Sequence, residues 1–278
     1  MTPPQLSPAD GFATRGPSSL RFDANLKWLF TELPFEERFD AAAREGFRGV
    51  EYSSPYDHNP NRLLARLHDA GLVQVLINTP SGAPGTVGRS GYACLPDHVD
   101  DFREGIRRAL EYATALGSPY IHLMGGARPD HVRWDRAYAQ FVANAAWAAE
   151  QAAGTDVTFL LEAQNRRDAP GFVLDSIEQA ASIVEAVNNP HLGLMFDVYH
   201  CQVTQGDVVT RIRALFPLIR HVQIADPPLR SEPGSGEINW QNVFDELITL
   251  QYSGWIGCEY RPLNETATGL SWMKQYGS

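Results

Sequence analysis

From residue 21 onward the chain alternates short, nearly continuous apolar runs with longer segments in which apolar residues recur at helical spacing. The runs fall at 21–26, 49–52, 73–78, 120–124, 157–162, 192–197, 221–225 and 255–260. Each is bounded by polar or turn-forming residues and has the length of a strand. Helical spacing predicts helices near 35–45, 61–70, 98–116, 132–153, 174–187, 208–215 and 240–250, with a fainter one near 270–276. Gly46, Gly71 and Gly117 stand where three helices should stop, and Asp97 and Asp175 near where two should start.

Strands that are apolar on both faces belong to a parallel sheet covered on both sides, because a solvated face would alternate polar and apolar residues. Eight strand–helix units in a chain close to the roughly 250 residues typical of a closed barrel favour closure over an open sheet. The expected fold is therefore α/β, a single eight-fold (β/α)8 TIM barrel over 21–278. Residues 1–20, rich in Pro, Ser and Gly, read as a flexible N-terminal arm. A doubly wound sheet is the alternative, but no G-x-G-x-x-G follows the first strand and no G-x-x-x-x-G-K-[ST] occurs. The Gly-rich stretch 81–91 reads as a long loop after the third strand.

Composition narrows the function. With 278 residues, 44% hydrophobic and 20% charged, the chain has the balance of a globular protein. Its 33 acidic against 23 basic residues leave −10, a field that repels a phosphate backbone. The pairs Arg107-Arg108 and Arg166-Arg167 are isolated, so nucleic acid is not an expected partner. Cys94, Cys201 and Cys258 form no CxxC pair, which argues against disulfides and a thiolate zinc site and for a reducing compartment. No signal-peptide core and no run of eighteen apolar residues is present, so a cytoplasmic location without membrane contact is expected.

In such a barrel, catalytic side chains come from the C-terminal ends of the strands. The fifth ends Phe159-Leu160-Leu161-Glu162 and the sixth Leu194-Met195-Phe196-Asp197; the seventh begins His221-Val222-Gln223 and the eighth closes Gly257-Cys258-Glu259-Tyr260. Each sets a carboxylate or amide in or just after an apolar run, where an isolated charge is strongly disfavoured. A single such carboxylate is more often a cap or an ion-pair partner. Four on consecutive strands point to one shared site, in which Glu162, Asp197, Gln223 and Glu259 would hold a divalent cation. Hard oxygen donors suit Mg²⁺ or Mn²⁺. For Gln223 a structural amide accounts for the position as well as ligation does. His200, three residues past the sixth strand, and Arg230, after the seventh, are candidates for binding an anionic substrate; a satisfied loop histidine and a solvated arginine are the bland alternatives. Gly234-Ser235-Gly236-Glu237 is either a backbone anion nest or a turn, and His122 reads as a core histidine.

These residues carry a resemblance. The chain resembles the hydroxypyruvate isomerase group of the xylose-isomerase-like barrel superfamily. The likeness rests on Phe22-Asp23-Ala24-Asn25-Leu26-Lys27-Trp28, Gly46-Phe47-Arg48-Gly49-Val50-Glu51-Tyr52, Phe196-Asp197-Val198-Tyr199-His200 and Gln223-Ile224-Ala225-Asp226. Its strongest parts are Arg230 with Glu232-Pro233-Gly234-Ser235-Gly236-Glu237-Ile238-Asn239, and Gly254-Trp255-Ile256-Gly257-Cys258-Glu259-Tyr260. The resemblance implies isomerisation of a small anionic oxo-acid: hydroxypyruvate to tartronate semialdehyde, or 2-oxo-tetronate to 3-oxo-tetronate. It implies that Glu162 and Glu259 exchange protons with adjacent substrate carbons through an enediolate. A divalent cation would assist, and His200 and Arg230 would hold the substrate. Two other readings stand beside it: an endonuclease of the same superfamily, opposed by the acidic charge and by Gln223 in place of a histidine, and a non-catalytic barrel that binds sugar acids. A homo-oligomer is compatible with all three.

Overall fold

The eight apolar runs become eight parallel strands of one closed barrel in the computed structural model, which describes residues 20–276. Apart from Leu20, the expected N-terminal arm lies outside the described residues. The strands are β1 (Arg21–Asn25), β2 (Gly49–Tyr52), β3 (Val73–Asn78), β4 (Tyr120–His122), β5 (Thr158–Leu161), β6 (Leu192–Asp197), β7 (Ile219–Ile224) and β8 (Trp255–Cys258). Sequence neighbours are neighbours in space, and β8 closes on β1 through Phe22↔Ile256 and Ala24↔Cys258. The helices are α1 (Glu37–Arg44), α2 (Pro60–Ala70), α3 (Val99–Leu116), α4 (Trp134–Gln151), α5 (Ile177–Val187), α6 (Val198–Thr204), α7 (Val208–Leu215) and α8 (Trp240–Thr249). Among the described residues no helix is long and apolar enough to cross a membrane.

The continuous apolar character of the strands has two causes. One face packs on the helices, where Phe22, Val50, Ile121, Phe159, Phe196, Val222 and Ile256 belong to the main core. The other face fills the barrel, where Val75, Leu76, Leu160 and Met195 form a separate small cluster. Above that cluster the interior turns polar, and Asp23, Glu51 and His221 are fully buried in it. On the outer layer, α4 buries Ala137, Phe141, Asn144, Ala145, Ala148 and Ala149, a stripe spaced by three and four residues whose alanines admit close approach to the sheet.

Gly71 and Gly117 end α2 and α3 in the left-handed conformation, each at φ 66°, as their positions suggested. The starts differ by a residue. Ser176, not Asp175, caps α5 by accepting from the Gln179 N–H, while Asp175 pairs with Arg166. Asp97 lies inside a 3₁₀ turn, Pro96–His98, that leads into α3. The final segment, Thr266–Gln275, is 3₁₀ rather than α-helical. It is tied back to the barrel's start where the Leu20 N–H donates to the Tyr276 carbonyl at 3.1 Å.

Candidate active site

Four strands bring functional side chains to the C-terminal mouth of the barrel. β5 stops at Leu161 and β8 at Cys258, so Glu162 and Glu259 are the first residues past the ladder, free to turn inward. Asp197 closes β6 and at once caps α6, its Oδ1 accepting from the His200 N–H at 3.1 Å. This cap forms a helix where the sequence suggested a loop, and it fixes His200 on the first turn. Gln223 stands in register with Asp197 on one side and with Gly257 on the other.

The side chains meet. Ligating atoms of Glu162, Asp197 and His200 all lie within 4.8 Å of one another. Glu162 Oε2 accepts from Gln164 Nε2 at 2.6 Å, and His122 Nε2 stands 3.5 Å from the same oxygen. Arg230 reaches Glu259 Oε2 at 2.5 Å and lies 3.6 Å from Asp197 Oδ2. Its guanidinium lies 4.9 Å from the ring centres of both Trp28 and Tyr199. Trp28 in turn donates its indole N–H to Glu259 Oε1 at 3.2 Å.

The loop after β5 sets the state of His200. Both the backbone N–H and the side-chain amide of Asn165 point at His200 Nδ1, at 3.1 and 2.7 Å. Nδ1 is therefore an acceptor and Nε2 carries the proton. Burial, with Arg230 and His122 beside it, pushes the His200 pKa well below the usual histidine range, so the ring is neutral. Nε2 stands 3.9 Å from Glu162 and 3.7 Å from Asp197, beyond hydrogen-bond reach of either. It presents an N–H to the mouth.

Burial also governs the acids. It pushes the Glu162 carboxyl well above the usual carboxylate range, and the charges of Asp197 and Glu259 act in the same direction. Burial raises Asp197 to about 7, against the pull of Arg230. For Arg230 burial acts to lower the pKa, but Glu259, Asp197 and Glu162 outweigh it and hold the guanidinium protonated. Burial pushes His122 down to about 3. The mouth is thus a set of acids short of compensating positive charge, the environment in which carboxyls become useful acid–base groups near neutral pH.

The donor set fits a hard divalent ion. Glu162 and Asp197 converge, Glu259 stands beside them across the Arg230 guanidinium, and Gln223 adds a buried amide oxygen without a hydrogen-bond partner. With its proton on Nε2, His200 is a donor rather than a ligand. The amide nitrogen of Gln223 is engaged elsewhere, donating to Glu51 Oε1 at 2.7 Å.

Of the residues singled out from sequence, Glu162, Asp197, His200, Glu259 and Arg230 gather at one point, while Gln223 joins their layer to the polar interior below. Arg230 has in Glu259 a partner that the sequence did not suggest. His122 is a buried histidine as expected, yet its Nε2 faces Glu162 and has no hydrogen-bond partner. The candidate nest is filled from within: the N–H groups of Gly234, Gly236 and Ile238 and the indole of Trp240 all donate to the Asp226 carboxylate. Sequence reasoning gave no role to Trp28 and Glu51, which stand in the segments that carry the resemblance, or to Asn165 and Asp168. Glu51 carried the signal used elsewhere, a carboxylate inside an apolar strand, whereas Asn165 and Asp168 lie in a loop whose contacts only the fold decides.

This architecture agrees with what the chain is similar to. The model of the xylose isomerase-like TIM barrel family matches residues 39–276. A 2-oxo-tetronate isomerase from Cupriavidus necator is 44% identical over 258 residues, covering 92% of this chain and 98% of that protein. A hydroxypyruvate isomerase from Escherichia coli is 39% identical over 257 residues, covering 92% and 99%. The crystal structure of an AP endonuclease, family 2, from Brucella melitensis superposes with a TM-score of 0.89 at 36% identity, covering 93% of this chain and 100% of that one. The chain belongs to the xylose isomerase-like TIM barrel family and, within it, to the group of hydroxypyruvate and 2-oxo-tetronate isomerases.

Proposed function

We propose that the protein interconverts a small 2-oxo acid and its aldehyde or 3-oxo isomer, hydroxypyruvate with tartronate semialdehyde or 2-oxo-tetronate with 3-oxo-tetronate. The observation that carries this is the pair Glu162 and Glu259, delivered from β5 and β8 to one mouth, where the charge of Glu259 acts on the buried Glu162 carboxyl. Such isomerisation needs a base at the carbon next to the carbonyl and an acid at the carbonyl carbon. Two carboxyls at one mouth supply both.

In this account one glutamate takes the proton from C3 of hydroxypyruvate, the proton of the C3 hydroxyl passes to the oxygen on C2, and the enediolate takes a proton at C2 from the other glutamate, leaving the aldehyde at C3 and a hydroxyl at C2. His200 Nε2–H donates to a substrate oxygen and steadies it as charge develops. Arg230 faces the substrate carboxylate. Lys27 and Arg261 join it around the Trp28 ring, at 5.5 and 4.9 Å from its centre, and offset the −10 field that repels an anion. Glu162, Asp197, Glu259 and the Gln223 oxygen would hold Mg²⁺ or Mn²⁺, which supplies Lewis-acid stabilisation of the enolate oxygen. Phosphodiester cleavage lacks comparable support, since the acidic surface disfavours a polyanion.

The test is turnover. Purified protein with Mn²⁺ is incubated with hydroxypyruvate and, separately, with 2-oxo-tetronate, and the carbon-bound protons are followed by NMR. An aldehyde or 3-oxo product from either acid supports the reading; neither substrate changing refutes it.

A further inference from the structure

Below the mouth lies a buried polar layer that the reaction does not use directly. Glu51, on β2, is fully buried, and three nitrogens converge on its carboxylate. Asn25 Nδ2 and Gln223 Nε2 both donate to Oε1 at 2.7 Å, and His221 Nε2 lies 2.7 Å from Oε2. Asn25 cannot turn over, because its Oδ1 accepts from the Lys27 N–H at 3.1 Å. Across β1, the next strand but one, β8, has Gly257, where a Cβ would stand 2.6–2.7 Å from the carboxylate atoms of Glu51. The backbone of Gly257 is not in the left-handed region, so the glycine serves space and not conformation. Beside Glu51, Asp23 on β1 is a second fully buried carboxyl, with an oxygen within 4.8 Å of Glu51 and His221.

The consequence falls on Gln223. A glutamine amide has a donor end and an acceptor end that differ little in shape, so packing alone does not orient it. Glu51 does. Turning the amide over would set the glutamine oxygen 2.7 Å from a carboxylate oxygen, two acceptors face to face. The oxygen is thereby kept away from Glu51, and it is the end that is buried without a partner. Asp197 stands beside Gln223 in register on the neighbouring strand, so both side chains leave the same face of the sheet.

We propose that Glu51 is a positioning residue: it locks Gln223 in the orientation that offers its oxygen to the carboxylate cluster and to the cation held there. This rests on the cation site proposed above. Glu51 itself touches neither substrate nor cation, and acts through Gln223 as an outer partner fixes a ligand.

Mn²⁺ affinity tests this without any assay of turnover. Titration calorimetry or the paramagnetic resonance of free Mn²⁺ gives Kd for wild type, E51M, Q223A and the double variant. E51M keeps the length of the side chain but removes the acceptor that holds the Gln223 amide, and a weakening of Mn²⁺ binding of about 10- to 100-fold is expected. Q223A should weaken it similarly, and E51M added to Q223A should weaken it no further, because the group through which Glu51 acts is gone. A merely structural role would give losses that add. E51D keeps the charge but draws the oxygens back by one methylene, and the same non-additivity is expected of it should E51M not fold. Wild-type affinity in E51M and E51D, or additive losses with Q223A, would overturn the positioning role while leaving the cation site standing. A Q223A that binds Mn²⁺ unchanged would overturn this proposal, and a wild-type protein that binds no Mn²⁺ would overturn the cation reading and this proposal with it.

Discussion

Asn165 points two nitrogens at Nδ1 of His200, its backbone N–H at 3.1 Å and its side-chain amide at 2.7 Å. The amide is oriented in turn by Asp168, whose backbone N–H donates to Asn165 Oδ1 at 2.9 Å. One loop thus decides which nitrogen of a buried imidazole faces the substrate. In ¹⁵N NMR spectra His200 should show a single neutral tautomer with the proton on Nε2. Asn165→Leu keeps the backbone donor but loses the amide, so a second tautomer should appear and kcat/KM should fall about tenfold, equivalent to about 1.4 kcal/mol. A wild-type His200 protonated on Nδ1 would refute the assignment.

Arg230 is held by more than charge. Its backbone is left-handed at φ 57°, its carbonyl accepts from the Arg261 N–H at 2.8 Å, and its flat guanidinium lies against both Trp28 and Tyr199. Each such stacking contact is worth about 0.5–2 kcal/mol, and an ammonium group cannot reproduce its planar geometry. Arg230→Lys should therefore raise KM for the oxo-acid at least about tenfold, roughly 1.4 kcal/mol of lost binding, although the charge is kept. Steady-state kinetics decide this; an unchanged KM in the lysine variant removes Arg230 from substrate binding.

Asp226 serves stability. Its buried carboxylate accepts three backbone N–H groups and the Trp240 indole, which closes the loop from β7 to α8. Asp226→Ala leaves four donors without an acceptor, and several unsatisfied buried groups at about 1–3 kcal/mol each make a loss above about 3 kcal/mol the expected outcome. Urea unfolding measures it. A loss below about 1 kcal/mol would mean that water replaces the carboxylate without difficulty.

The three cysteines are free and buried, and burial pushes the thiols of Cys94 and Cys201 up to about 12. In the unfolded chain a thiol ionises near 8.5–9. Below that pH both states hold the proton and no stability is lost. Above it the unfolded chain binds fewer protons than the folded one, so stability falls as pH rises towards 12. Between pH 8 and 10 the two thiols together should cost about 3–4 kcal/mol, measured by urea unfolding at each pH. The Cys94→Ala/Cys201→Ala variant should lose correspondingly less over the same interval. Equal losses in the two proteins would assign the alkaline sensitivity to other groups.

The barrel was legible because each strand needs two apolar faces, and eight such runs in one chain leave little choice of fold. Ends were less so. α6 escaped notice because Val198, Val203 and Thr204 are β-branched and no periodic stripe marks it; the Asp197 cap creates it. The carboxylates of the mouth were legible as charges set against apolar runs. Glu51 meets the same criterion, but its significance depends on Gln223, 172 residues away along the chain. The partners of Arg230 and His200 come from loops after different strands, and only closure of the barrel brings them together.

The central claim is that Glu162 and Glu259 move protons between neighbouring carbons of one small oxo-acid. Deuterium wash-in tests it most directly: hydroxypyruvate in deuterium oxide with Mn²⁺, carbon-bound deuterium followed by NMR, in wild type, Glu162→Gln and Glu259→Gln. The account predicts exchange by the wild type and a fall of at least about 10²-fold in each variant, the usual contribution of a general acid or base. Exchange in both variants at the wild-type rate would contradict it.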